Sequence, residues 1–149
     1  MAGFKYARTD FLSLPGATEK NAAAGTYVKG QLLTVDATGH VAPLTAAATT
    51  TPPYVSLFDG TVAAGAQDGV RGVSGGALIP VARVNLETEY FVKLNAAVAS
   101  PAVGKALSVT ADGLGLSATP GSFEVTAFTG TGAVGDTITG RFTAVPKDI

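Results

Sequence analysis

The side chains that could carry acid–base or metal chemistry are few in this sequence and widely spaced. His40 is the only histidine, and there is no cysteine to supply a thiolate. Four aspartates stand in or beside glycine turns, where an Asp side chain commonly hydrogen-bonds its own backbone: Asp36, Asp59, Asp68 and Asp112. A catalytic or metal site needs several convergent groups, and no spacing of His, Asp and Glu here fits metal ligation. We therefore expect no catalytic residue, no metal site and no cofactor.

Two further patterns allow a chemical interpretation but favour a structural one. Glu87 and Glu89 would share one face of a strand, whereas glycosidases place two carboxyl groups opposite each other across the bond that they cleave. The Gly-Val-Ser-Gly-Gly segment at 72–76 lacks the Gly-Lys-Ser/Thr ending and the following helix of a phosphate-binding loop. We expect a solvated rim or a contact to a basic neighbour at the two glutamates, and a turn or bulge at 72–76. The sequence thus predicts a protein that is not an enzyme and takes no small-molecule substrate.

Composition and charge exclude several classes of partner. The 149 residues are enough for one domain with a core of its own. The net charge is -1, and the basic residues form no run interleaved with stacking aromatics, so nucleic-acid binding is disfavoured. No apolar run approaches the roughly 20 residues of a membrane-spanning helix, and the N-terminus lacks the apolar region of a signal peptide. Charged residues make up only 14% of the chain, which favours a surface partly covered by other chains.

One hairpin design occurs twice along the chain. Residues 30–39 read Gly-Gln-Leu-Leu-Thr-Val-Asp-Ala-Thr-Gly, and residues 104–113 read Gly-Lys-Ala-Leu-Ser-Val-Thr-Ala-Asp-Gly. Each copy has a glycine, a long polar residue, two apolar residues, a hydroxyl, a valine and a turn that closes on glycine. This is the local chemistry of a strand, a tight turn and a return strand.

The other elements that the sequence indicates are also short strands. Apolar and polar residues alternate at 90–94, 123–127 and 137–144, and Pro80 should make the apolar run 77–84 an edge strand or place a bulge in it. No window has the 3.6-residue period of an amphipathic helix of ten or more residues. The sequence therefore predicts an all-β fold, or nearly so: a compact small β-barrel or β-sandwich of short strands with an extended N-terminal arm.

That arm is predicted over residues 1–20, ahead of a single β-rich domain at 21–149. The segment mixes aromatic and basic side chains, a composition enriched at interface centres. Two interpretations remain open, the first strand of the core or a frayed terminus on one side, and an arm lying on a neighbouring subunit on the other. As an arm, it would place six residues at an interface: Phe4, Lys5, Tyr6, Arg8, Phe11 and Leu12.

Three segments resemble the head decoration proteins, or capsid cement proteins, of tailed phages. The first is the Gly-led strand, Asp/Gly turn and return strand at 25–41. The second is the Val-Gly-x-x-Leu-x-Val strand at 103–109, and the third is the closing strand after a Gly-Asp turn at 135–142. Together these segments and their flanks cover about half of the chain, and the middle region has no counterpart.

The resemblance implies a structural role. Such proteins are small, cysteine-free β-domains that bind the outer surface of the expanded capsid between capsomers, commonly as trimers, and often with an N-terminal segment added to the sheet of the capsid protein. It therefore implies a virion protein at the outer capsid surface, whose partners are the major capsid protein and its own copies in a homotrimer. The alternatives are a carbohydrate-binding β-module and a tail or baseplate β-protein; the absence of Trp disfavours the sugar-binding module.

Overall fold

All regular structure in the part of the chain that can be described is β-strand. The computed structural model describes residues 3–6, 17–65, 77–86, 88–99, 101–117 and 121–143. Within these ranges there is no helix, and the strands form a closed five-stranded barrel, a five-stranded sheet and a two-stranded ribbon. The prediction of a small all-β fold is confirmed.

Twelve strands follow one another through these ranges. They are β1 (Lys5–Tyr6), β2 (Ala17–Ala22), β3 (Gly25–Tyr27), β4 (Leu32–Val35), β5 (Val41–Pro43), β6 (Tyr54–Ser56), β7 (Gly60–Val62), β8 (Ala77–Arg83), β9 (Tyr90–Lys93), β10 (Ala106–Leu107), β11 (Phe123–Phe128) and β12 (Thr137–Phe142).

The barrel has the strand order β2-β5-β4-β6-β8. β2 pairs with β8 over its whole length, from Ala17 opposite Ala82 to Ala22 opposite Ala77. The seam that closes the barrel is much shorter, because β2 meets β5 in parallel only through Ala22 and Val41. The β3–β7 ribbon adds two side chains to the barrel core, whose larger members are Tyr27, Leu33, Val41, Tyr54, Val62, Ile79 and Val81.

Pro80 neither places its strand at an edge nor introduces a bulge, contrary to the prediction. β8 lies between β2 and β6, and Pro80 stands opposite Glu19 of β2. The Pro80 carbonyl accepts a hydrogen bond from the Leu57 amide (3.0 Å), just beyond the last β6 residue. The nitrogen and the carbonyl of a strand residue point to the same side of the strand. The missing N–H of Pro80 therefore faces the chain beyond the last residue of β6, where the pairing between β6 and β8 has ended.

The five-stranded sheet has the order β1-β9-β12-β11-β10, with antiparallel pairing throughout. The strict alternation predicted for the last strand is present, because Ile138, Gly140 and Phe142 are buried and Arg141 is exposed. Under the sheet lies an aromatic cluster whose ring centroids are 5.1 to 6.1 Å apart: Phe4, Tyr90, Phe123 and Phe142.

The start of the chain belongs to this sheet. Phe4 is 3% exposed, and its ring packs against the rings of Tyr90, Phe123 and Phe142. Lys5 and Tyr6 pair with Phe91 and Tyr90 of β9. The first of the two open interpretations, a core strand, therefore holds for residues 3–6. β2 begins at Ala17, so residues 17–20 belong to the barrel and not to an arm.

Both copies of the repeated segment form hairpins, as predicted. In the first copy, β4 and β5 pair across the Asp36–His40 turn. The Asp36 amide donates a hydrogen bond to the His40 carbonyl (2.9 Å) across this turn. In the second copy, Val109 pairs with Leu116 around the turn that contains Gly113.

Candidate interaction surface

The outer face of the five-stranded sheet is the candidate functional surface, and strand alternation creates it. Residues that alternate with the buried Tyr90, Val92, Ile138 and Phe142 must project from the opposite side of the sheet. That side carries both charge signs together with threonines and one aromatic ring: Lys5, Phe91, Lys93, Glu124, Thr137, Thr139 and Arg141.

Phe91 stands near the middle of this outer face. It is 40% exposed, although it is a large apolar side chain. In the ladder it lies opposite Lys5 of β1 on one side and Thr139 of β12 on the other. A shallow depression beside the ring is lined by Gly3, Lys5, Phe91, Val92, Lys93 and Thr137. The ring is thus presented on rigid strands with ammonium groups close by, an arrangement suited to an apolar contact ringed by polar groups.

The other half of the outer face holds an ion pair. Arg141 and Glu124 stand opposite each other in β12 and β11, and the guanidinium Nη2 lies 3.5 Å from the Glu124 Oε1 atom. The pair is substantially exposed, so it contributes little to stability. Its main property is that it presents one donor group and one acceptor group to a binding partner. An open groove beside it is also lined by Leu86, Phe142 and Thr143.

Glu89 differs from the expectation of a solvated rim. Its carboxylate Oε2 atom is half-buried and accepts a hydrogen bond from the Thr126 hydroxyl (2.8 Å), so it ties the start of β9 to β11. Glu87 lies outside the described residues, and no pairing between the two carboxylates can be stated.

Two of the turn aspartates, Asp36 and Asp112, have the role that the sequence predicts. One oxygen of Asp36 accepts from the Thr38 amide (2.9 Å), the Thr38 hydroxyl (2.6 Å) and the His40 amide (3.0 Å). Burial alone would raise the pKa of Asp36, but these hydrogen bonds and the nearby His40 outweigh it and lower the pKa below its usual value. Asp112 accepts from the Leu114 amide in its own turn. Asp59 departs from the prediction, because it accepts from the Lys29 amide in a distant part of the chain, and Asp68 lies outside the described ranges.

Sequence reasoning did not single out Asp136 as a turn aspartate. A single oxygen of Asp136 accepts three backbone amides at 3.0 Å each, from Thr131, Gly132 and Ala133. The Gly-Asp step before β12 was the available signal, because an Asp placed after a glycine-rich loop can satisfy that loop's amides. The carboxylate fixes the loop between β11 and β12.

Of the six residues predicted at an interface, the structure describes the side chains of two, and these lie on opposite sides of the sheet. Phe4 is enclosed in the core, and Lys5 lies on the outer face with its side chain exposed. The backbone of Tyr6 pairs with β9, and Arg8, Phe11 and Leu12 lie outside the described residues. Sequence reasoning did not identify Phe91, Lys93 or Arg141 as candidates. The signal was the odd-numbered face of the 90–94 alternation, where a phenylalanine replaces the expected polar residue.

Known proteins give no further identification. Across the described residues, no three His, Asp or Glu side chains converge as possible metal ligands, and no helix is long and apolar enough to cross a membrane. The sequence matches no protein-family model, and a search of curated proteins finds no match.

Proposed function

We propose that this chain is a structural virion protein that binds the outer surface of a tailed-phage capsid as a homotrimer. In this role it links neighbouring copies of the major capsid protein and stabilises the contacts between capsomers. The sequence resemblance at 25–41, 103–109 and 135–142 supports this assignment, and these segments correspond to the first hairpin, the approach to β10 and the closing strand.

The observation that carries the proposal is the outer face of the five-stranded sheet. An exposed Phe91 flanked by Lys5 and Lys93, beside the Arg141–Glu124 pair, offers one apolar anchor with polar groups around it. A few buried anchors of this kind carry most of the energy of a protein interface.

The edge of the same sheet favours the same partner. In the described ranges, β1 has a sheet neighbour on one side only, namely β9. A strand of the capsid protein could therefore add next to Lys5 and Tyr6, with main-chain hydrogen bonds beside the Phe91 contact. This differs from the predicted arm, because Phe4 stays in the core while β1 pairs with only one strand of the part of the chain that the structure describes.

Capsid decoration by paired variants tests the proposal. Phe91→Ser removes the anchor on the outer face, and Leu78→Ser is the matched control, since Leu78 of the barrel is 41% exposed and Phe91 is 40% exposed. Burial of an exposed aromatic ring contributes about 2 kcal/mol, so Phe91→Ser should weaken binding to expanded empty heads on the order of tenfold or more. Leu78→Ser should decorate them like the wild type.

Two outcomes would contradict the assignment at different levels. If Leu78→Ser fails to decorate and Phe91→Ser succeeds, the barrel and not the sheet contacts the capsid. If the wild-type protein does not co-sediment with expanded heads, the decoration role itself is wrong.

A further inference from the structure

One end of the five-stranded sheet is built from two loops that pack on each other. We define the loop end as residues 94–99 and 101–104, which follow β9, together with residues 125–135, which run from β11 into β12. The Val98 amide donates to the Gly132 carbonyl (2.8 Å), and the Gly135 amide donates to the Leu94 carbonyl (2.9 Å). The Gly104 amide donates to the Val125 carbonyl at 2.8 Å. These bonds join the two loops into one continuous surface.

The loop end combines exposed apolar side chains with a lack of charge. Val103 is 67% exposed, Val134 is 65% exposed and Phe128 is 38% exposed, which is half of the large apolar side chains found exposed in the described ranges. The sequence has no Lys, Arg, His, Asp or Glu from Leu94 to Gly104 or from Val125 to Gly135. Two uncharged runs of this length meet at the same place in the fold.

Four charged residues border the loop end. Lys93 and Glu124 project from the outer sheet face, and the other two are engaged by the loops themselves. Asp136 accepts the three amides of residues 131–133, and the Lys105 ammonium donates to the Ala99 carbonyl at 2.7 Å. The Asp136 carboxylate and the Lys105 ammonium therefore have hydrogen-bond partners within the loops and do not depend on a partner outside the loop end. The exposed valines and Phe128 are left as the side chains with the most surface to cover.

We propose that the loop end is the surface on which copies of this chain meet one another. In a closed symmetric assembly, residues near the rotation axis face their own copies, so each charge there would face a like charge. An uncharged apolar surface avoids this repulsion and is self-complementary. The outer sheet face differs, because its Lys5, Lys93 and Arg141 suit an unlike partner. The inference rests on the self-association within the proposed function and assigns it a location separate from the capsid contact.

Sedimentation of charge variants tests this assignment. In Val103→Glu/Val134→Glu the two substituted side chains are about two-thirds exposed, so the fold should persist, as circular dichroism would verify. Glutamates that face their own copies should raise the dissociation constant of the oligomer on the order of a hundredfold. The control Thr18→Glu/Leu78→Glu adds the same two negative charges at exposed positions of the barrel, away from the loop end, and should associate like the wild type.

Mixing provides a second readout that a change in overall charge cannot produce. Val103→Lys/Val134→Lys should also dissociate when alone, and a mixture with the glutamate variant should regain the oligomer. Recovery in the mixture supports copy-to-copy contact at the loop end. The inference is overturned if the glutamate variant associates like the wild type, if the control dissociates equally, or if the mixture stays dissociated. A wild-type protein that remains monomeric at all concentrations removes the self-association on which the inference rests, whereas decoration of heads by Phe91→Ser reports on the capsid contact alone.

Discussion

The two copies of the hairpin design share a local structure but differ in their surroundings. In both, an aspartate accepts backbone amides in the turn, and a glycine in a left-handed conformation closes it: Gly39 with φ 86° and Gly113 with φ 72°. A side chain at Gly39 would meet nothing within 4 Å, whereas a Cβ atom at Gly113 would lie 2.6 Å from the Leu32 carbonyl oxygen. The first turn projects into solvent, and the second is pressed against the first hairpin.

This contact makes the second turn part of a three-way junction. The Leu32 amide donates to the Gly113 carbonyl (2.9 Å), and the Gln31 side chain donates to the Asp112 carbonyl (2.8 Å). The chain start joins them, because the Gly3 amide donates to the Leu114 carbonyl (3.1 Å) and the Phe4 amide to the Gly30 carbonyl (2.7 Å). One local sequence thus yields one local fold, while tertiary packing decides which copy the domain depends on.

The largest effect should come from the chain start at this junction. Phe4→Ala removes a ring that is 3% exposed and contacts three other aromatic rings, so it should lower the free energy of unfolding by about 3–5 kcal/mol. Phe91→Ala, which truncates an exposed ring on the paired strand, should cost about 1 kcal/mol or less. Urea denaturation measures both, and equal losses would mean that residues 3–6 are not a core strand.

The glycines separate the two turns directly. Gly113→Ala forces a left-handed alanine and a clash with the Leu32 backbone, so it should destabilise the protein by about 2–4 kcal/mol. Gly39→Ala also forces a left-handed alanine but causes no clash, so it should lower the free energy of unfolding by about 1 kcal/mol. Thermal unfolding of the pair checks this difference, and a Gly39→Ala variant as unstable as Gly113→Ala would show that the first turn is not free of tertiary contacts.

The smallest effect belongs to the solvent-facing turn. Asp36→Asn should lower stability at neutral pH by at most about 1 kcal/mol, since the carboxylate is 36% exposed and its hydrogen bonds are partly screened. The folded-state pKa of Asp36 lies below its usual value, so its contribution is present above about pH 4 and disappears as the pH falls through the lowered pKa. Unfolding curves of the wild type and the variant should therefore converge in acid. If the variant stays less stable than the wild type in acid, the loss of stability comes from the shape of the substituted side chain and not from the loss of its charge.

The sequence predicts the hairpins well because their turns are local. Asp36 and Asp112 bond amides of their own turns as their glycine contexts suggest, and the alternation at 137–142 fixes the burial of Ile138 and Phe142. The pairing of strands that are distant in the sequence is harder to predict from the sequence. Pro80 lies inside a barrel because the neighbouring strand ends beside it, which depends on residues more than twenty positions away.

The candidate surface shows the same limit. Phe4 and Phe91 are the same residue type on paired segments of one sheet, and strand pairing decides which ring is enclosed. Phe4 enters the core from an edge strand, whereas Phe91 sits one residue out of phase with the buried Tyr90 and Val92. The composition of the first residues suggested an interface there, but it did not indicate that the ring of Phe4 would be buried while that of Phe91 would be exposed.

The short seam between β2 and β5 makes barrel closure sensitive to a single proton. Beyond the pairing of Ala22 with Val41, the Ala23 amide donates to the Val41 carbonyl (2.9 Å). The Tyr27 hydroxyl adds to this seam, since it lies 2.7 Å from the Ala23 carbonyl and 3.0 Å from the Val41 carbonyl. Burial, and secondarily the charge of Asp36, raises the pKa of Tyr27 to about 12. Its contribution is therefore complete below about pH 10 and is lost as the pH rises through 12, because a phenolate cannot donate to either carbonyl. Local opening of the barrel should begin at this seam, and amide protons along β5 should exchange with solvent before those shared by β2 and β8.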